Sequence, residues 1–142
     1  MAKTFRLSII TPSKIFYEGD IELLIVPTLE GEEGFMAGHS WATMVLNVGE
    51  MAIQESGSSD FRLASLAGGF IDVKDSVILY ADHAEWQEDI DKARAQKDKE
   101  LAEEWLSKNK DSEDEYSVRR AEVALKKAIS RMNVAEGGRR GL

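Results

Sequence analysis

Ala84-Glu85-Trp86-Gln87-Glu88-Asp89-Ile90-Asp91-Lys92-Ala93-Arg94-Ala95 divides the chain into two kinds of sequence. Upstream of it apolar residues alternate and Gly recurs, the pattern of strands and turns. Downstream, Ala, Glu, Lys and Leu repeat every three to four residues, with no Gly before residue 137, the pattern of helices. Charge divides at the same place. Residues 1–85 carry 5 of the 18 Lys/Arg and 13 of the 26 Asp/Glu, whereas residues 86–142 carry 13 of each. Two modules are therefore expected, residues 1–85 and residues 86–142.

Working back from that stretch, Phe5, Leu7 and Ile9 alternate along a first strand that ends near Pro12. Ile15-Phe16-Tyr17 is a short run before a Gly19-Asp20 turn, and Ile21 to Val26 is a central strand closing at Pro27. Glu30 to Gly34 reads as an acidic turn, and Ala42 to Leu46 as a strand that ends at Val48-Gly49. Met51–Gln54 and Phe61–Ala67 flank a Ser56–Ser59 turn. Phe70–Val73 and Val77–Ala81 flank a Lys74–Ser76 turn, and Gly68-Gly69 permits a kink. Many short strands without an intervening helix imply an antiparallel sandwich or flattened barrel.

Working forward, Asp89 is the expected N-cap of a first helix, with Asp91 in its first turn. Ile90, Ala93, Leu101 and Trp105 mark one face. A break at Asn109-Lys110-Asp111 precedes Ser112-x-x-Glu115, which has the spacing of a capping box. Val118, Ala121, Leu125, Ala128 and Met132 form the stripe of a second helix that stops at Gly137-Gly138. So short a break favours an antiparallel hairpin. Residues 86–116 have a net charge of −5 and residues 117–142 of +5, so the helices attract. The Ala-rich stripes bury little apolar area per turn, which predicts a loosely held hairpin.

Composition excludes several functions. A net charge of −8 repels nucleic-acid phosphates. The absence of Cys removes thiolate metal sites and Cys nucleophiles and fits a reducing compartment. The two histidines, His39 and His83, are in no ligand-spaced cluster, so no metal is expected. The N-terminus reads as neither signal peptide nor membrane span, so any membrane association is expected to pass through a partner. Gly31 to Gly38 lacks Gly-Lys-Ser/Thr and carries Glu30, Glu32 and Glu33, which argues against a phosphate loop. No catalytic constellation stands out. Asp91 and Arg94 lie three apart, at ion-pair spacing, and Lys127 and Arg131 four apart on the second helix. A folded hairpin could turn these cations on a polyphosphate while Asp91 accepts from an adenine or ribose group.

Four segments, taken in order, resemble the epsilon subunit of bacterial F-type ATP synthases, called delta in mitochondria. They are Glu30-Gly31-Glu32-Glu33-Gly34-Phe35-Met36-Ala37-Gly38-His39; Leu66-Ala67-Gly68-Gly69-Phe70-Ile71-Asp72-Val73; Ile90-Asp91-Lys92-Ala93-Arg94-Ala95; and Arg120-Ala121-Glu122-Val123-Ala124-Leu125-Lys126-Lys127-Ala128. The resemblance implies an α+β chain, with an N-terminal ten-stranded β-sandwich followed by a C-terminal antiparallel α-helical hairpin. It implies a rotor subunit, non-catalytic by itself, that couples ion flow to ATP synthesis from the cytoplasmic face of the bacterial membrane. The implied partners are the gamma subunit, the membrane c-ring and, through the helices, the alpha/beta hexamer, whose ATP hydrolysis the extended hairpin restrains. Glu32 and His39 fall where the family meets the c-ring, although Ala37 and Ser40-Trp41-Ala42 replace the usual prolines there. Asp91, Arg94 and Arg131 match the ATP-binding motif of some members, the alternative function being an ATP-sensing module. Leu101 and Lys127 stand where those members have arginine. Lys offers no bidentate fork, so ATP is expected as a weak regulatory ligand and no cofactor is required.

Overall fold

The computed structural model describes residues 3–138. Among them are nine strands: β1 (Phe5–Ile10), β2 (Ile15–Thr28), β3 (Gly31–Phe35), β4 (Ala42–Val45), β5 (Val48–Glu55), β6 (Arg62–Ala67), β7 (Gly69–Val73), β8 (Val77–Ala81) and β9 (Ala84–Trp86). A 3₁₀ turn, Gln87–Asp89, leads to helices α1 (Lys92–Lys108) and α2 (Glu115–Ala135). The strand order is β4-β7-β8-β1-β2-β5-β6-β9, with β3 also on β2.

The long strand β2 makes this one sheet into a sandwich. Its first half pairs with β1, Phe5 opposite Ile21 and Ile9 opposite Tyr17. Its second half pairs with β3 and β5, Leu24 lying between Phe35 and Ile53. A register shift between Ile21 and Leu23 marks where β2 passes from one layer to the other. A bridge from Thr28 to Leu46 and a bond from the Asn47 N–H to the Pro27 carbonyl, 2.9 Å, draw β4 against the end of β2. The alternation of β1 now has its partners: Leu7 and Ile9 are fully buried with Leu24, Phe35, Met51, Leu66, Ile71 and Leu79 in one core.

Several sequence expectations are corrected. The described residues hold nine strands where the resemblance implies ten, and the runs at residues 15–17 and 21–26, read as separate, form one strand, β2. Gly19-Asp20 does not turn; a Cβ at Gly19 would lie 2.6 Å from the Tyr17 hydroxyl, so glycine makes room for that ring within the strand. The sheet is not purely antiparallel, since β1 and β8 run parallel, Leu7 opposite Val77. Pro27 does not close its strand, which runs to Thr28. Gly31 to Gly34 belongs to strand β3 rather than a turn, and Val48-Gly49 opens β5 rather than ending β4. Pairing of β9 with β6 carries the sheet through Trp86, one residue past the module boundary drawn from composition.

The helices form the antiparallel hairpin. Lys92 near the start of α1 reaches Glu136 just past α2 at 3.1 Å, and Asp98 reaches Arg131 at 3.7 Å. At 1.5 Å per residue the 17 and 21 residues span about 26 and 32 Å. Capping differs from expectation at both starts. Asp91, not Asp89, caps α1, its carboxylate accepting from the Arg94 N–H at 3.0 Å; Asp114, not Ser112, caps α2, accepting from the Ser117 N–H at 3.2 Å. In α1 the buried positions are Ala95 and Ala102, while Leu101 is 54% exposed. In α2 the stripe holds at Ala128 and extends to Ser130 and Val134. The helix stops as expected, with Gly137 and Gly138 at positive φ and the Gly138 N–H reaching back to the Asn133 carbonyl at 2.7 Å.

Candidate functional site: a cleft between hairpin and sandwich

The last turns of α2 pack on β5 and β6, and α1 packs mainly on α2. Val134 is fully buried among Ala52, Leu63, Ile25, Phe61 and Ile90. Nearby, the hydroxyls of Ser65 and Ser130 share a buried hydrogen bond of 2.8 Å, and the Gln87 amide donates to the Val134 carbonyl at 3.0 Å. Serine and alanine are what let a helix approach a sheet this closely.

Further along the hairpin a cleft of about 1120 Å³ opens. Ser65, Asp82, His83 and Glu85 line its sandwich side; Asp91, Arg94, Asp98, Leu101 and Trp105 line it from α1; Arg120, Lys127 and Arg131 line it from α2. The four residues that spacing grouped, Asp91, Arg94, Lys127 and Arg131, thus share one cleft. Their chemistry differs from the expectation in two ways. Asp91 makes its bond to the Arg94 backbone, so the Asp91–Arg94 side-chain ion pair is not among those formed by the described residues. The Arg131 guanidinium is already held, its Nε donating to Glu85 at 2.7 Å and Nη2 to the other Glu85 oxygen at 3.4 Å. With Asp98 at 3.7 Å, one cation joins β9, α1 and α2, and its side chain is only 18% exposed. Charge-assisted pairs of this two-pronged kind are the stronger ones. Glu85 and Asp98 were missed because no spacing rule links residues 46 and 33 positions away from Arg131.

Glu32 and His39 lie on the β3 edge rather than at the cleft. Glu32 is exposed on β3. Three strand residues away, about 10 Å along β3, the His39 ring packs edge-on against Phe35 at 4.7 Å. The His39 Nδ1 is 2.7 Å from the Ser40 carbonyl, to which it donates. Leu29 and Met36 on either side of β3, and Trp41 in the following loop, are each about two-thirds exposed.

A second surface feature is a row of uncharged side chains. On the outer face of the sandwich Val45 is opposite Phe70, Phe70 opposite Tyr80 and Tyr80 opposite Ile10, forming one apolar row across β4, β7, β8 and β1. The Phe70 and Tyr80 rings stack at 4.7 Å, and Val45 is 56% exposed. The sequence held a signal for this row: Ile71 and Leu79 face inward, so their neighbours Phe70 and Tyr80 must face out. Among the described residues no helix is long and apolar enough to cross a membrane, and no three His, Cys, Asp or Glu side chains gather as a metal site.

Comparison with known proteins gives a consistent result. The family described as ATP synthase, Delta/Epsilon chain, beta-sandwich domain matches residues 4–87, and the corresponding long alpha-helix domain matches residues 88–136. The ATP synthase epsilon chain of Caldanaerobacter subterraneus subsp. tengcongensis is 42% identical over 137 residues, 95% of this chain and 96% of that one. The epsilon chain of Desulforamulus reducens is 40% identical, covering 96% of this chain and 100% of that one. A chain in the cryo-EM structure of the Euglena gracilis mitochondrial ATP synthase shares the fold, with a TM-score of 0.76 at 24% identity, over 89% of this chain and 78% of that one.

Proposed function

The chain belongs to the delta/epsilon chain family of ATP synthases, and from that membership we propose that it works in the rotor, gripping the gamma subunit with its sandwich and regulating hydrolysis with its hairpin. It is a non-catalytic subunit of the ATP synthase complex. The observation that carries the proposal is the apolar row Val45–Phe70–Tyr80–Ile10. A contiguous exposed apolar patch on an otherwise charged chain marks a surface that another protein covers. The gamma subunit is its occupant in this reading. Glu32 and His39, on the β3 edge and the loop after it, meet the c-ring. The subunit lies at the cytoplasmic face of the membrane through these partners, without inserting into the bilayer.

The hairpin supplies regulation. Its second helix presents Arg119, Arg120, Lys126 and Lys127 to solvent, with Tyr116 72% and Val123 39% exposed among them. Such a face suits an acidic surface on the alpha/beta hexamer once the hairpin leaves the sandwich, and hydrolysis is restrained there. A second reading, the hairpin as an ATP-binding module, is favoured by the gathering of Asp91, Arg94, Lys127 and Arg131 at one cleft. ATP would have to displace Glu85 and Asp98 from Arg131, which keeps its affinity low and its role regulatory.

The proposal is tested by replacing Phe70 with Asp and measuring co-purification with the gamma subunit. A carboxylate in the row should weaken association at least about tenfold, the loss of roughly 1.4 kcal/mol. Retained association of a folded Phe70→Asp chain would contradict it.

A further inference from the structure

Away from both the cleft and the apolar row, Trp86 is held on two faces. The Phe16 ring stacks on one face at 4.6 Å with an interplanar angle of 19°. The Arg62 guanidinium covers the other at 3.9 Å, and Tyr17 meets the indole edge-on at 5.8 Å. The clamp is itself braced. Arg62 is 3.7 Å from Glu55, and the Tyr17 hydroxyl donates to the same carboxylate at 2.9 Å. Phe16 and Tyr17 come from β2, Glu55 from β5 and Arg62 from β6, so every group that grips Trp86 belongs to the sandwich. A cation over an indole is the strongest form of this contact, and the ring stack adds to it.

The character of the chain changes at the next residue. Gln87 begins a single 3₁₀ turn without a side-chain cap, Ile90 is extended at φ −76° and ψ 124°, and Asp91 already caps α1. Gln87 bonds to α2 through the Val134 carbonyl, not to the sheet. Glu88 reaches back to Arg62 at 3.7 Å with its side chain 64% exposed, a contact of the weak kind, and Ile90 packs with Val134 of α2 against Ala52 and Leu63 of the sheet. A four-residue joint, tethered by one exposed ion pair and by Ile90 in the same cluster that seats α2, thus follows a residue gripped on both faces.

We propose that Trp86 is a fixed post and that the hairpin turns about the Gln87–Ile90 joint, β9 staying with the sheet wherever the helices lie. This rests on the reading that the hairpin is loosely held. It has a consequence for Glu85: anchored one residue before the post, it remains on the sandwich as the half of the Arg131 latch to which the returning helix docks.

Residue-resolved amide hydrogen exchange on the full chain tests the post. The β9 amides should match the protection of their β6 neighbours and exceed that of α1 and α2 by about tenfold or more, since separate opening units exchange separately. Trp86→Ala should lower β9 protection to the level of the helices while leaving β1 and β8 unchanged, and Trp86→Phe, which keeps a ring for Phe16 and Arg62, should restore it. If β9 in the unaltered chain exchanges with the helices, or if Trp86→Ala leaves β9 protected, the post is overturned while the loose hairpin stands. Helices as protected as the sheet would overturn the loose hairpin, and the post with it.

Discussion

The sandwich and the hairpin are held by opposite means. Within the sandwich the fully buried side chains are large: Phe35, Leu7, Ile9, Ile21, Leu24, Met51, Ile53, Leu66, Ile71 and Leu79. In the two helices the buried positions are three alanines, one serine and one valine: Ala95, Ala102, Ala128, Ser130 and Val134. Burial of a large apolar side chain contributes about 1.5–3 kcal/mol, whereas alanine contributes little beyond its one methyl. Side-chain volume therefore fixes the body, and close approach with a few polar links fixes the hairpin. One chain can thus carry a rigid part and a releasable part joined by no more than a four-residue turn, because the depth of burial does the separating.

The contrast is easiest to break in the body. Phe35→Ala should cost about 3–5 kcal/mol, read as a lowered urea midpoint of the sheet transition. Val134→Ala, at the largest buried side chain of the helices, removes two buried carbons at about 0.8 kcal/mol each and should be seen as helix opening rather than global unfolding. Equal effects on the global transition would erase the distinction.

Arg131 sharpens it next. Arg131→Met keeps much of the aliphatic stem and removes the charge shared by Glu85 and Asp98. Hydrogen bonds to charged groups contribute about 1.5–3 kcal/mol, and the loss should appear as faster amide exchange along α1 and α2 with an unchanged sheet midpoint. An unchanged helix exchange rate would show that the latch carries no load.

The smallest effect comes from pH. Burial, then the hydrogen bond to Glu55 and its charge, push the Tyr17 phenol from 10.0 up to about 12. The folded chain thus binds the proton more tightly than the unfolded one, so this contribution is whole below pH 10 and is lost as pH rises through 12. Tyr17→Phe should flatten the decline of stability in that window, with the phenolate absorbance of the parent rising late. At the other end of the scale, the Ser117 hydroxyl and then its backbone N–H hold the Asp114 carboxyl below its ordinary range. That α2 cap persists above the ordinary carboxylate value and weakens as pH falls through the lowered one.

Local pattern carried most of the fold. The alternation of β1, the β5–β6 and β7–β8 hairpins and the αα-hairpin all follow from periodicity and turn residues. The misreadings have physical causes. Gly19-Asp20 has turn composition, yet Gly19 makes space for the Tyr17 ring inside β2. Pro27 resembles a strand stop, yet its missing N–H costs nothing where only its carbonyl is used, by Asn47. The parallel β1–β8 pairing joins the start of the chain to residues about 70 positions on, beyond any local signal. At the cleft, Asp91, Arg94, Lys127 and Arg131 line one cavity, but their spacing could not show that Glu85 already holds Arg131. The grip on Trp86 was invisible for the same reason, since Phe16 and Arg62 come from strands distant in sequence.

If the body binds and the hairpin regulates, removing the helices should change ATP hydrolysis by the assembled complex without loosening its assembly. A chain ending at Asp89 keeps β9 and the Trp86 post intact while removing both helices. This chain should assemble with the gamma subunit as well as the full chain does, and the complex should then hydrolyse ATP faster. An unchanged hydrolysis rate, or a truncated chain that no longer binds gamma, would contradict it.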